Sequence, residues 1–353
     1  MKPCNRWRIT GCLLVSVIFL YAACFAAAAD HAVILQYHHF GSDTPPSTSV
    51  TMEQFDNHLA YLDKNKFVVW PLNRIVSHLQ EKKELPEKCV AITIDDAYRS
   101  VYERAFPRIQ KYGWPFTVFV TTQGVDKGFA DYMTWEQMRE MAKKGVTFAG
   151  HSHTHSYLRL HNKGESETKW QDRVTRDILA SFERIKAEIG QDSRLFAYPY
   201  GEYNNKLKKI ILDLELVGFG QQSGAVWSGG DFGTLPRFPM SAGYAQMGEF
   251  KTKVNSRPLP VISSEPDDPE LPENVDKPVL RLTISHGDYL KDTLTCYLSG
   301  QGPIRLKWID RDSGIVEAVS DKPLPKGRSR YNFTARHRSG PGYFWYSHLW
   351  IRD

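Results

Sequence analysis

The sequence predicts an α/β fold followed by a small all-β region, and three observations predict it. Strand-like and helix-like segments alternate from Ala32 to about residue 250, the pattern of a parallel sheet or barrel covered by helices. Within that stretch, Cys89–Ala97 (CVAITIDDA) carries Val90, Ala91, Ile92 and Ile94 close together, as in a strand buried on both faces. Beyond residue 279 the apolar runs are short and separated by Gly and Pro, which reads as sheet alone.

In chain order, Lys2, Arg6 and Arg8 precede an apolar stretch, Gly11–Phe25, and then small residues up to Ala29. Residues 1–29 therefore read as a secretory signal with cleavage before Asp30, too short a run for a membrane anchor. Cys12 and Cys24 leave lipid attachment, and with it weak membrane association, open. Ala32–Tyr37 is the first strand, ending in His38-His39. Thr51–Gln54 forms a capping box ahead of a helix with Phe55, Leu59 and Leu62 on one face. A short strand over Phe67–Trp70 and a helix over Leu72–Gln80 lead to the Asp95-Asp96 strand. Val101, Tyr102, Ala105, Phe106 and Ile109 then recur at helical spacing up to Gly113. Thr117–Val120 is a strand, Thr134–Gln137 a second capping box, and Val146–Ala149 the strand that delivers GHSHTHSYL. A long helix presents Val174, Ile178, Phe182, Ile185 and Ile189 inward and stops at Gly190. Leu195–Tyr198, a helix from Lys206, and strands at Val217–Gly220 and Thr234–Arg237 complete residues 30–255 as one domain. Residues 256–278 hold six prolines and a run of acids and read as a stiff, solvated linker. Residues 279–353 read as a small β-sandwich-like module in which Trp308, Trp345 and Trp350 are core, or alternatively glycan-binding.

The formal net charge of +5 falls to +2 without the three basic residues of the leader, so no nucleic-acid footprint is expected. Only Cys89 and Cys296 lie beyond the leader, in different regions, so disulfides do not organise the fold.

Three segments carry chemistry. Asp95 and Asp96 fall at the C-terminal end of a buried strand, where α/β folds place their sites, although Asp pairs also occur in ordinary turns. His151 and His155 follow another strand, and two imidazoles four apart reach a common point if the segment turns. With one Asp they would make a facial ligand set that leaves positions for water and substrate; a His-rich surface loop is the alternative. Phe196–Tyr203 (FAYPYGEY) combines Pro and Gly in a turn that aims a main-chain N–H into a site, or is simply a strand-to-helix turn.

Taken together, TIDDA, HSHTH and AYPYG resemble, in order, the motifs of the polysaccharide deacetylases of carbohydrate esterase family four, as do WEQMREM, GFGQQSG and LPRFPM. The likeness covers roughly residues 32 to 250 and implies a distorted (β/α) barrel of the NodB-homology type. By resemblance Asp95 would be the general base and Asp96, His151 and His155 the ligands of a divalent metal, with zinc the expected ion. Ser152 would brace the histidine loop, His153 would not be a ligand, and the Tyr200 N–H would stabilise an oxyanion. Three departures stand out. Ala97 replaces a Gly, which is tolerable if that residue is not left-handed. Ala197 stands where the family has an Arg beside the base; Arg237 is the candidate replacement, with a structural ion pair as the alternative. No histidine lies between His161 and His286, where the family's general acid belongs. His38 fits the arrangement of the poly-β-1,6-N-acetylglucosamine branch, with His39 as its competitor.

The implied reaction is removal of N-acetyl groups from an N-acetylglucosamine polysaccharide by an exported, periplasmic or extracellular hydrolase. Base and acid are expected on opposite sides of the scissile bond. An O-acetyl esterase or other amidase on the same fold, and a non-catalytic glycan binder, are the alternatives.

Overall fold

A computed structural model describes residues 28–353. The leader reading therefore lies outside the described residues, except that Ala28–Ala29 pairs with Leu85–Pro86.

The first unit is a curled parallel sheet. Its strands run in the order Val217–Phe219, Leu195–Ala197, Thr147–Gly150, Thr117–Val120, Cys89–Asp95 and His31–Tyr37. Val68–Val69 adds to Cys89–Asp95, and Val226–Trp227 adds antiparallel to His31–Tyr37. The ends of this sheet meet through one stretch of chain. Leu235 bridges to Phe219, and Phe238–Pro239 pairs in parallel with Leu35–Gln36, so Leu235–Pro239 is the stave that closes the barrel.

Period-two alternation sorts the side chains. Ile34, Ala91, Phe119, Ala149, Ala197, Phe219 and Leu235 pack together inside the barrel. Val33, Leu35, Val90, Ile92, Val118 and Phe148 face outward onto Phe55, Leu59 and Leu62 of helix Met52–Lys64 and Met138 and Met141 of helix Trp135–Lys143. Both helices start in the anticipated capping boxes, at Thr51/Gln54 and Thr134/Gln137. The long helix is Glu167–Ile189, ended by Gly190 at φ 76°.

The linker reading is corrected. Arg257–Pro258 pairs with Phe344–Trp345, and Val261–Glu265 pairs with Arg281–Ile284. Leu271 donates its N–H to Ile351 O, and Glu270 pairs with Arg159. Prolines are tolerated there because these strands are the two edges of the sheet, where a missing N–H costs no ladder bond. The C-terminal sheet has eight strands. Besides the two edge strands, it includes Ile315–Val319 and Gly327–Arg336, which the sequence reading does not separate from their surroundings either. Strand Gly302–Asp310 belongs to both halves of this sheet. They fold over a common core of Leu280, Leu282, Val316, Phe333 and Trp350, which makes it sandwich-like. Trp345 packs edge-on against Phe238 at 5.3 Å, and Leu349 and Ile351 join Leu158, Trp170 and Leu207, so this sheet is packed onto the barrel.

Candidate active site

The barrel interior becomes polar at the C-terminal ends of its strands. Gln36 follows Ile34 by two, Thr93 and Asp95 follow Ala91 by two and four, and Arg237 follows Leu235 by two, so alternation turns all four inward. Asp95 and Arg237 are fully buried. The guanidinium grips the carboxylate with both arms, Nη1 to Oδ1 at 2.6 Å and Nη2 to Oδ2 at 2.8 Å. Its Nε donates to Gly220 O at 3.0 Å, its Nη1 reaches Thr93 Oγ1 at 3.3 Å, and its Cζ lies 5.1 Å from the Phe119 ring centre. Gln36 Nε2 donates to Asp95 Oδ2 at 2.6 Å. Burial pushes the Asp95 pKa up, but Arg237, His151 and His38 together outweigh it and hold the carboxyl below its ordinary value. Gln36 and Thr93 are missing from the sequence reading, although the same alternation marks them.

Asp96 begins the turn after the strand at φ 74°, and Ala97 follows at φ 63°. The second angle corrects the expectation for Ala97, which is left-handed after all. That conformation costs an L-residue about 1–2 kcal/mol. The buried methyl group recovers about 0.8 kcal/mol, and alanine's smaller backbone entropy cost another 0.5–1. Alanine can therefore stand where glycine would be conformationally easier.

Asp96, His151 and His155 converge, their ligand atoms all within 4.8 Å of one another. Each imidazole Nε2 lies 3.1 Å from Asp96 Oδ1. His151 Nδ1–H donates to Ala197 O at 2.7 Å, which turns the Nε2 lone pair toward Asp96. Asp96 Oδ1 is buried without a well-formed hydrogen bond among the described residues. Two imidazole nitrogens and an orphaned carboxylate oxygen aimed at one point are what a divalent cation requires, so these residues fit a metal. Burial raises the Asp96 pKa, yet the two histidines draw it well below the usual range. Conversely burial lowers that of His151, and the two carboxylates raise it overall.

The histidine loop is held from two sides. Ser152 Oγ accepts the His155 N–H at 2.9 Å. Asp177, on the long helix, accepts from His153 N at 3.1 Å, Thr154 N at 2.9 Å and Thr154 Oγ1 at 2.7 Å. His153 turns away, with Nδ1 2.8 Å from Thr122 Oγ1.

His38 Nε2 lies 3.8 Å from Asp95 Oδ2. The two are neighbours on adjacent strand ends rather than groups facing each other across the pocket. Burial lowers the His38 pKa despite the attraction of Asp95 and Asp96. His39 instead stacks on Tyr98 at 3.7 Å, and so faces a different neighbour. Tyr98 and Tyr132 flank Asp96, and burial and the Asp96 charge push the Tyr98 hydroxyl's pKa up. On the other flank Tyr200, at φ 59°, lies 4.6 Å from His155 and stacks on Tyr157 at 4.1 Å.

Residues 82–219 match the family described as "Polysaccharide deacetylase". The chain is 31% identical over 176 residues to a Bacillus subtilis protein named for that family, covering 50% of this chain and 59% of that one. It is 28% identical over 204 residues to the poly-beta-1,6-N-acetyl-D-glucosamine N-deacetylase of Escherichia coli K12, covering 47% of this chain and 30% of that one. It thus spans less than two thirds of either relative. Among solved structures, the Streptococcus pyogenes deacetylase PplD in complex with acetate superposes with a TM-score of 0.58 at 22% identity, covering 64% of this chain and 98% of that chain.

Proposed function

Because the chain carries a polysaccharide deacetylase domain, we propose that it hydrolyses N-acetyl groups from an N-acetylglucosamine polysaccharide, with a β-1,6-linked polymer the first candidate. The observation that carries this reading is the pairing of two carboxylates in different states. Asp95 is locked to Arg237, and beside it Asp96 opens toward His151 and His155. Asp96, His151 and His155 would hold a divalent metal, with zinc favoured by two imidazoles and one carboxylate. When bound, such an ion supplies Lewis acidity toward the acyl oxygen and toward water.

Asp95, kept ionised by Arg237, takes the proton of the attacking water. The Tyr200 N–H donates to the oxyanion that develops on the acyl group. His38 delivers a proton to the departing amine. Its lowered pKa leaves it neutral in the resting protein, and its place 3.8 Å from Asp95 allows the proton taken from water to pass on to it. Tyr98, Tyr132, Tyr157 and Tyr200 offer ring faces to the sugars on either side. The division into a catalytic unit over residues 30–255 and a C-terminal β unit, and export through the N-terminal leader, belong to the same reading.

The test is acetate and amine release from β-1,6- and β-1,4-linked N-acetylglucosamine oligomers by the zinc-loaded protein. Turnover abolished in Asp95→Asn and strongly reduced in His38→Ala is the expected result. Release from O-acetylated sugar alone, surviving His38→Ala, would transfer the assignment to an esterase.

A further inference from the structure

A second pocket lies where the C-terminal sheet meets the barrel, with a volume of about 440 Å³. That is within the range of about 300–1,000 Å³ typical of small-molecule sites. One wall is strand Gly327–Arg336, whose alternation buries Ser329, Tyr331, Phe333 and Ala335 and turns Arg328, Arg330, Asn332 and Thr334 toward the barrel side. Tyr297 is paired with Asn332, and Trp345 with Thr334, on the neighbouring strands. Tyr244 from the barrel side and Tyr343 complete an aromatic surround, and Tyr244, Tyr297 and Tyr343 are exposed.

Arg330 is the anomaly. Its Nε is buried with no hydrogen-bond partner among the described residues. Among the described residues no carboxylate is paired with it, and its charged neighbour is Arg328, which repels it. The other cation of the pocket, Lys253, is occupied by the carbonyls of Pro239 and Tyr244 at 3.3 and 3.1 Å. Arg328 is likewise engaged, by Glu202 and the Tyr200 carbonyl. An Nε–H shut off from water without an acceptor is unfavourable, and the planar fork of the half-buried guanidinium matches a carboxylate. Tyrosine and tryptophan faces beside such a group suit a sugar ring.

The geometry points to a binding site for an acidic saccharide, a uronic-acid unit whose carboxylate pairs with Arg330 while its ring lies against Tyr297 and Tyr244. The pocket is joined to the candidate active site through Gln221, which lines it and packs against Gly201, the neighbour of Tyr200. A polymer could then be held at one unit while another lies over Asp96.

Calorimetric titration of the full chain with a uronic-acid disaccharide, its methyl ester and sodium acetate tests this. The disaccharide contains no N-acetyl group and binding needs no turnover, so the outcome is independent of the deacetylation reading. The acid should bind at least about tenfold more tightly than the ester or acetate, the margin of a charge-assisted pair. Arg330→Gln should bring the acid down to the level of the ester. Tyr297→Ala, a change at an exposed residue, should weaken the acid and leave acetate unmoved. Arg330→Lys keeps the charge without the fork and should fall between, and it carries the test if Arg330→Gln does not fold by circular dichroism. Equal binding of acid and ester, no binding of the acid, or binding indifferent to Arg330 would overturn the proposal. Acetate binding as tightly as the disaccharide would remove the sugar from it.

Discussion

Asp95 has about four acceptor positions on its two oxygens, and three are filled by Arg237 and Gln36. What remains is one acceptor site with a defined direction, which is what a base acting on a single water needs. Arg237→Gln strips the pair and leaves a buried carboxylate with one neutral donor. Loss of a partner from a buried ion pair costs about 3–5 kcal/mol, and a misdirected base loses about 10²-fold in rate. The variant should therefore unfold at lower urea and show kcat/KM reduced by about that factor, with Arg237→Lys intermediate. Full activity in Arg237→Gln would return Arg237 to a purely structural ion pair. This ion pair was partly legible in the sequence, since Arg237 sits in LPRFP near a strand end. Its meeting with Asp95 followed only from the resemblance, since 142 positions separate the partners and no local pattern joins them.

At the scale of elements, the histidine loop depends on a helix that contributes no candidate ligand. Three hydrogen bonds from the loop end on Asp177, midway along Glu167–Ile189. Partners outside a ligand set orient it, and their loss typically weakens metal affinity about 10–100-fold. Asp177→Ala is expected to show that loss in a chelator competition titration while its far-ultraviolet dichroism stays unchanged. Unaltered affinity would mean that Ser152 alone braces the loop. The helix itself was readable from Val174, Ile178, Phe182 and Ile185, but its polar face gave no hint of what Asp177 holds.

A second element-level device ties helix Met52–Lys64 to helix Met247–Val254. His58 Nε2–H donates to Ala245 O at 2.8 Å, so its Nδ1 accepts from the Tyr37 hydroxyl at 3.1 Å, and the ring stacks on Phe250 at 3.9 Å. Burial pushes its pKa from 6.5 down to about 4. The unfolded chain thus binds this proton at higher pH than the native one. Stability should be fully present above about pH 6.5, fall as the pH drops toward 4 and level off below, a change on the order of 3 kcal/mol. Urea unfolding at stepped pH measures it, and His58→Gln should flatten the slope. His348, pushed down to about 3, extends the same trend to lower pH and remains in the variant.

At the scale of the molecule, Arg159 joins the barrel to the C-terminal region. It is 6% exposed and pairs with Glu202 at 3.0 Å, Glu270 at 2.8 Å and Asp353 at 2.5 Å. Glu270 and Asp353 retain access to water, so most of the penalty for removing Arg159 falls on buried Glu202, which Arg328 relieves in part. Arg159→Leu should cost about 3 kcal/mol and make the C-terminal strands the first to exchange amide hydrogens. Protection unchanged in Tyr343–Arg352 would show that Leu349, Ile351 and Trp345 suffice to hold the two units together.

The local sequence determined the elements of the barrel, the strand ends that carry the site and the two capping boxes, because periodicity, caps and turn residues act over a few positions. It also carried the ordered motifs from which Asp96, His151 and His155 were read as one ligand set. Only the tertiary structure decided the left-handed turn at Ala97, the closure of the barrel by Leu235–Pro239, and the adjacency of His38 to Asp95. It alone brought the proline-rich stretch into a sheet and left Arg330 facing a pocket without an anion. Each of these depends on partners far apart in the chain, whose meeting is set by packing and barrel closure rather than by any local preference.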